Sequence, residues 1–195
     1  MKVLDRKTVY SGKIVDLVVS RVRQPDGRES VLEVVRHPGG VAVVAEVDGR
    51  ILFVRQRRHP MKRDLLELPA GKLDGKESPE VAAGRELEEE TGYRADRLRK
   101  IGKFFTSPGF CDELIHVYIA DGLRKVEQKL EEGEHIDVER YELSSAVKMI
   151  ASGEICDAKT AVGLLWLAGM RAAGLEGVKQ KVASERPRGS RQRAG

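Results

Sequence analysis

The chain has 195 residues, 41% hydrophobic and 34% charged, which fits one soluble domain with room for a small appendage and needs no disulfides. No apolar run approaches the roughly 20 residues of a membrane span. The start, Met1-Lys2-Val3-Leu4-Asp5-Arg6, carries charges where an export signal is apolar. The expected location is therefore the cytoplasm, with no membrane partner and with Cys111 and Cys156 as reduced thiols.

In chain order, Ile14 to Val22 and Ser30 to Val35 are rich in Val, Ile and Leu and predict strands around the turn Gln24-Pro25-Asp26-Gly27. His37-Pro38-Gly39-Gly40 breaks the pattern. Val41–Val47 and Ile51–Val54 then flank Asp48-Gly49-Arg50, a second hairpin, and their unbroken apolar runs predict strands covered on both faces. Leu65–Leu68 predicts a short strand stopped by Pro69. Ser78 and Pro79 predict the cap and first residue of a helix that runs to about Thr91 and ends at Gly92.

Further strands are expected near Lys100–Phe105, Leu114–Ala120 and Ile136–Tyr141, with a long acidic loop over Val126–His135. Two helices are expected near Ser144–Ala151 and Ala158–Ala173, the second with Val162, Leu164, Leu165, Leu167 and Ala168 as its buried face. The last eleven residues hold four arginines against one glutamate, a net of +3, which leaves about +1 of the chain's +4 for residues 1–184. A near-neutral body speaks against a nucleic-acid partner, whose charge would cover a face of the fold. Residues 176–195 read as a basic, disordered tail. The mixed order of elements predicts the α+β class, with layers around a mixed sheet.

The predicted helix is crowded with acid. At 100° per residue, Arg85, Glu86, Glu89 and Glu90 share a sector about 140° wide, and Glu86 reaches both Glu89 and Glu90. Such like charges cost roughly 0.2–0.5 kcal/mol per pair on an exposed helix. Gly84 costs about 1 kcal/mol more relative to alanine. A solvated acidic face is the plain explanation. A hard divalent cation is the other: it takes carboxylate oxygens, keeps waters and meets substrate phosphates. Before the helix, Glu67-Leu68-Pro69-Ala70-Gly71-Lys72-Leu73-Asp74-Gly75-Lys76-Glu77 supplies glycines for a tight loop that lets backbone approach a ligand.

These residues resemble the signature of the Nudix hydrolase family, glycine-x5-glutamate-x7-arginine-glutamate-apolar-x-glutamate-glutamate-x-glycine-apolar. Gly71, Glu77, Arg85, Glu86, Leu87, Glu89, Glu90, Gly92 and Tyr93 fill it, with Tyr93 where an aliphatic residue is usual. Pro108, 16 residues after Gly92, resembles a marker of the ADP-ribose pyrophosphatase branch. So do Ser107-Pro108-Gly109-Phe110-Cys111-Asp112-Glu113, Arg55-Gln56-Arg57-Arg58 and Asp157-Ala158-Lys159-Thr160.

The resemblance implies a Nudix-type α/β/α sandwich around a mixed sheet. It divides the chain into a strand-rich dimerisation segment over 1–38, a hydrolase domain over 39–175 and the tail. It implies magnesium, with manganese as a substitute, held by Glu86, Glu89, Glu90, the Ala70 carbonyl and Glu134. Glu77 and Arg85 would tie the loop to the helix. Arg58, Ser107, Gly109 and Glu113 would contact substrate, with Arg55 and Glu33 as weaker candidates. The acidic loop would carry the base, Glu132, although Glu132 and Glu134 could exchange roles; Glu86 would share the catalytic work. The implied reaction is hydrolysis of ADP-ribose to AMP and ribose 5-phosphate by a homodimer whose N-terminal segments complete each other's pockets. Other nucleotide sugars, such as GDP-mannose or ADP-glucose, and a silent ADP-ribose sensor are the alternatives. Members of the branch often stack the adenine on an aromatic from the N-terminal segment; here Tyr10 is its only aromatic.

Overall fold

A computed structural model describes residues 1–175; the expected basic tail lies outside the described residues. Three antiparallel strands come first: β1 (Lys2–Ser11), β2 (Asp16–Arg23) and β3 (Glu29–Arg36), in that order within their own sheet. A seven-stranded sheet follows, made of β4 (Gly40–Val47), β5 (Arg50–Arg58), β6 (Arg63–Glu67), β7 (Ala70–Lys72), β8 (Tyr93–Phe105), β9 (Leu114–Lys125) and β10 (Ile136–Tyr141). Its order is β10-β5-β4-β9-β8, with β6 on β5 and β7 on β4. The β4–β9 pair is parallel and the remaining pairs are antiparallel, so the sheet is mixed.

Alternation in the central strands builds two cores. Val41, Val43, Ala45 and Leu52 meet Ala82, Ala83 and Leu87 of helix α1 (Pro79–Thr91). Ala42, Val44, Ile51 and Phe53 meet Ala146 of α2 (Leu143–Ser152) and Leu164, Leu167 and Met170 of α3 (Ala158–Ala172). Burial on both faces explains the continuous apolar runs. The result is the expected α+β sandwich of helix, mixed sheet and helices. Among the described residues no helix is long and apolar enough to cross a membrane, and both cysteines are unpaired thiols.

The structure differs from the sequence reading in several places, among them a β5 that runs on to Arg58 and a β9 that runs on to Lys125. β1 lies outside the predicted strands: bulges between Val3 and Asp5 and between Thr8 and Tyr10 break its alternation, and nearly all of it is exposed. β8 starts at Tyr93, seven residues before the predicted strand, because its first half is a polar edge. After Pro69 the chain returns to pairing as β7 against β4. On α3, Leu165 is exposed, and Thr160, Gly163 and Met170 line the buried side with Leu164 and Leu167.

Helix α1 has the expected ends. The Ser78 hydroxyl accepts the Val81 N–H at 3.3 Å, and Pro79 opens the first turn. Gly92 adopts φ 66°, the left-handed conformation glycine accepts, and donates to the Glu88 carbonyl at 2.9 Å. No basic residue sits in the last turn, but Lys125 reaches back from β9. Its ammonium donates to the Thr91 carbonyl at 3.3 Å and lies 4.4 Å from the Tyr93 ring centroid. Tyr93 is therefore more than a softened signature position. Its ring seats that cation, and its hydroxyl accepts from Arg140 at 2.6 Å.

Candidate active site

The helix side chains meet the strand–loop segment that precedes them. Glu90 is 4% exposed and accepts the Ala70 N–H at 2.8 Å. Burial pushes its carboxyl up to about 8: the Ala70 hydrogen bond and Arg58 pull the other way, while Glu86 and Glu134 add to the rise. Burial also raises Glu86, to about 6, against the pull of Arg85 and with the push of Glu89 and Glu134. Glu86 lies directly over Gly71, where a Cβ would fall inside its carboxylate. Glycine there leaves the Glu86 carboxylate its place over the backbone and does not serve a turn.

Arg85 occupies the middle of the cluster. Its Nη2 donates to Glu77 Oε1 at 2.9 Å, and its Nη1 lies 2.9 Å from both Glu86 Oε1 and Glu89 Oε2. Glu77 in turn accepts the Asp74 N–H at 2.7 Å. Arg85 and Glu77 thus pin the Asp74–Glu77 loop to the helix, the geometry expected of that pair.

The acidic loop is attached to the same helix. Val126 N–H donates to the Gly92 carbonyl at 2.9 Å, Gln128 Nε2 to Glu90 O at 2.6 Å and Lys129 N–H to Glu89 O at 3.1 Å. These bonds satisfy carbonyls that a helix end leaves open. They also bring round the turn Glu131–Glu134, closed by Glu134 N–H on the Glu131 carbonyl at 3.0 Å. Glu134 is half-buried and its charge acts on both Glu86 and Glu90. Glu132 is exposed on the same turn.

The remaining candidates divide. Arg58 makes two 2.7 Å bonds to Glu67, and its charge reaches Glu90. Arg55 is paired with Glu139, which also accepts the Tyr141 hydroxyl at 2.6 Å. Tyr141 packs edge-on to Phe53, which belongs to the α2–α3 core, so Arg55 stands on the side of the sheet away from α1.

Ser107, Gly109 and Glu113 lie in the loop between β8 and β9. That loop shares one end of the sheet with the glutamates, because Gly40 pairs with Lys72 on one side and Ile115 on the other. Glu113 accepts the Thr106 hydroxyl at 2.7 Å and stands 3.3 Å from His37 Nδ1, which lies 3.0 Å from the Gly39 nitrogen. The loop is docked on β3: Val35 N–H donates to Phe110 O at 2.7 Å, and Asp112 accepts from His37 N–H at 2.9 Å and from Arg36 at 2.8 Å. Glu33 is exposed on that strand.

Sequence reasoning passed over Glu67 as a functional residue. Its signal was a lone charge among Leu65, Leu66 and Leu68, in a strand that buries it to 1% exposure.

Three observations fit a divalent cation: all-oxygen donors, carboxyls pushed up by burial and by one another, and a backbone brought close at Gly71. Among the described residues, no three His, Cys, Asp or Glu side chains already stand as a ligand set, because Arg85 draws Glu86 and Glu89 to itself. Gly71→Ala tests the crowding at this point. The added methyl displaces the Glu86 carboxylate, and activity is expected to fall on the order of 10²-fold with little change in the melting temperature. Activity within twofold of wild type would show that Glu86 need not sit over this backbone.

A family model described as "NUDIX domain" matches residues 35–160. The chain is 48% identical over 175 residues to an ADP-ribose pyrophosphatase of Bacillus subtilis, covering 86% of this chain and 95% of that one. It is 43% identical over 169 residues to a methanol dehydrogenase activator of Bacillus methanolicus, covering 85% and 91%. A solved structure described as an ADP compounds hydrolase superposes with a TM-score of 0.79 at 21% identity, over 90% of this chain and 97% of that one, a likeness of fold.

Proposed function

The chain belongs to the NUDIX domain family, and we propose that it hydrolyses the pyrophosphate bond of ADP-ribose to AMP and ribose 5-phosphate. The observation that carries this reading is the placement of Glu90 on the Ala70 N–H and Glu86 over Gly71, with Glu134 near enough for its charge to act on both and with the two carboxyls raised to about 8 and about 6. The substrate is supported by the relative that is 48% identical over nearly its whole length.

Glu86, Glu89, Glu90, Glu134 and the Ala70 carbonyl are the proposed ligands of magnesium, with manganese as a substitute. Bound there, the metal would offset phosphate charge and lower the pKa of water. Glu132 is the proposed base: exposed on a turn tethered to α1, it takes the proton of the attacking water. Arg58, Ser107, Gly109 and Glu113 are the proposed groups that bind and orient the substrate, with Arg55 and Glu33 in lesser roles; the support is that the β8–β9 loop shares one end of the sheet with the Ala70–Lys72 strand and that the charge of Arg58 acts on Glu90. A silent ADP-ribose sensor would have no use for the strained carboxylates.

Residues 1–38 are proposed as the dimerisation segment of a cytoplasmic homodimer. The support is the separate three-stranded sheet, with Val3, Val9, Tyr10 and Val31 each at least 45% exposed. Sedimentation as a monomer at working concentration would count against it. The function is tested by phosphatase-coupled phosphate release across ADP-ribose, ADP-glucose and GDP-mannose, with magnesium and manganese in parallel. ADP-ribose is expected to give the highest kcat/KM. A tenfold preference for another nucleotide sugar would reassign the substrate, and no turnover of any would overturn the hydrolase reading.

A further inference from the structure

Glu67 closes β6 at 1% exposure, and a charge that deep requires partners. It has two. Arg58 donates through Nε and Nη2, each at 2.7 Å, and the Lys159 ammonium donates to the Oε2 that Arg58 also uses. The two cations more than offset the effect of burial and hold the Glu67 carboxyl below its ordinary value. Lys159 also lies 3.1 Å from Asp157 Oδ2. Asp157 caps α3 by accepting the Thr160 N–H at 3.0 Å and its hydroxyl at 2.6 Å, and Thr160 Oγ1 accepts the Leu68 N–H at 2.8 Å. The start of α3 is thus fastened to the strand end that carries Glu67. Lys159 is the member of that fastening that touches the Arg58–Glu67 pair.

The Arg58 bonds use Nε and Nη2 and leave the Nη1 edge without a hydrogen bond among the described residues. Arg58 is also the basic residue whose charge acts on Glu90. Its open edge is therefore set by how Glu67 is held, and Glu67 is held by Lys159 as well. We propose that Lys159 is a positioning residue for substrate binding, sharing the buried Glu67 carboxylate with Arg58 and so fixing the guanidinium edge that meets the diphosphate. Without Lys159, Glu67 has Arg58 as its remaining cation, Asp157 loses its ammonium, and the guanidinium shifts with the carboxylate it follows. Among the described residues the partners of Lys159 are Glu67 and Asp157, and none of Glu86, Glu89, Glu90 or Glu134 is among them, so its loss weakens binding without slowing the bound substrate.

This inference rests on the proposed hydrolysis, and the experiment separates the two. Steady-state kinetics on full-length Lys159→Met with ADP-ribose and magnesium are expected to show KM raised roughly tenfold to a hundredfold and kcat within twofold of wild type. Lys159→Arg, which keeps the charge, is expected to restore KM to within threefold. Should Lys159→Met not fold, Lys159→Gln is read in the same way. A KM within twofold of wild type in the charge-free variant overturns the assignment, as does a fall in kcat with KM unmoved or no recovery with arginine. A wild-type protein that hydrolyses no nucleoside diphosphate compound overturns the underlying reading instead.

Discussion

Glu86→Gln and Glu90→Gln are each expected to cut turnover of ADP-ribose by on the order of 10²-fold or more, with the fold intact. The loss follows from removing a charge that the proposed cation needs. Several kcal/mol of transition-state stabilisation correspond to two or more factors of ten in rate. The intact fold follows from the local structure. In Glu90→Gln the amide oxygen can still accept the Ala70 N–H, while a carboxyl pushed up to about 8 disappears from a buried position. In Glu86→Gln, Arg85 keeps Glu77 and Glu89 as partners. Melting temperatures without metal should therefore equal or exceed wild type. Near-normal turnover in both variants would sink the metal assignment, and a collapse of stability would mean that these glutamates are structural.

The second large effect is on stability against pH, read without metal. Glu86 and Glu90 have folded pKa values of about 6 and about 8, above the ordinary glutamate value of 4.5 that stands for the unfolded chain. Between 4.5 and those values the folded protein binds more protons than the unfolded one. Stability must then fall as pH rises from about 4.5 to about 8, by up to roughly 1.4 kcal/mol per pH unit for each group inside its window. Glu67, Glu77 and Glu139 are shifted down, so the stability they contribute is lost only as pH falls below 4.5, outside that window. Magnesium, which requires the ionised carboxylates, should give a melting-temperature gain that grows from pH 5 to pH 8. Thermal melts in chelator and in magnesium across that range test this. A flat chelator profile, or a magnesium gain independent of pH, would show that the buried carboxyls do not titrate as their surroundings dictate.

What the sequence made legible was local. Ser78, Pro79 and Gly92 delimit α1 because caps are set by neighbouring backbone, and Glu77 and Arg85 meet as spacing suggests because they lie eight residues apart. The unbroken apolar runs from Val41 to Ala45 and from Ile51 to Phe53 announced two covered faces. Long-range pairings were less legible. That Arg58 is tied to Glu67, that Lys159 joins them from 92 residues later in the chain, and that Arg55 turns to Glu139 depend on which strands become neighbours. β1 escaped because two bulges scramble a strand with little to bury, and Leu165 because an apolar residue on a helix need not face the core.

The acidic loop is fastened at Lys129 to the helix end and at Ile136 to Gln56 of β5, so six residues, 130 to 135, span the interval. An extended residue covers only about 3.3–3.6 Å. The segment that carries Glu132 and Glu134 is therefore a short suspension bridge between two piers, and one of those piers is the glutamate helix itself. Transplanting this loop into another scaffold would require Gln128 and the helix end to travel with it. A spacer one residue longer or shorter would reset where Glu132 and Glu134 stand before any side chain was altered.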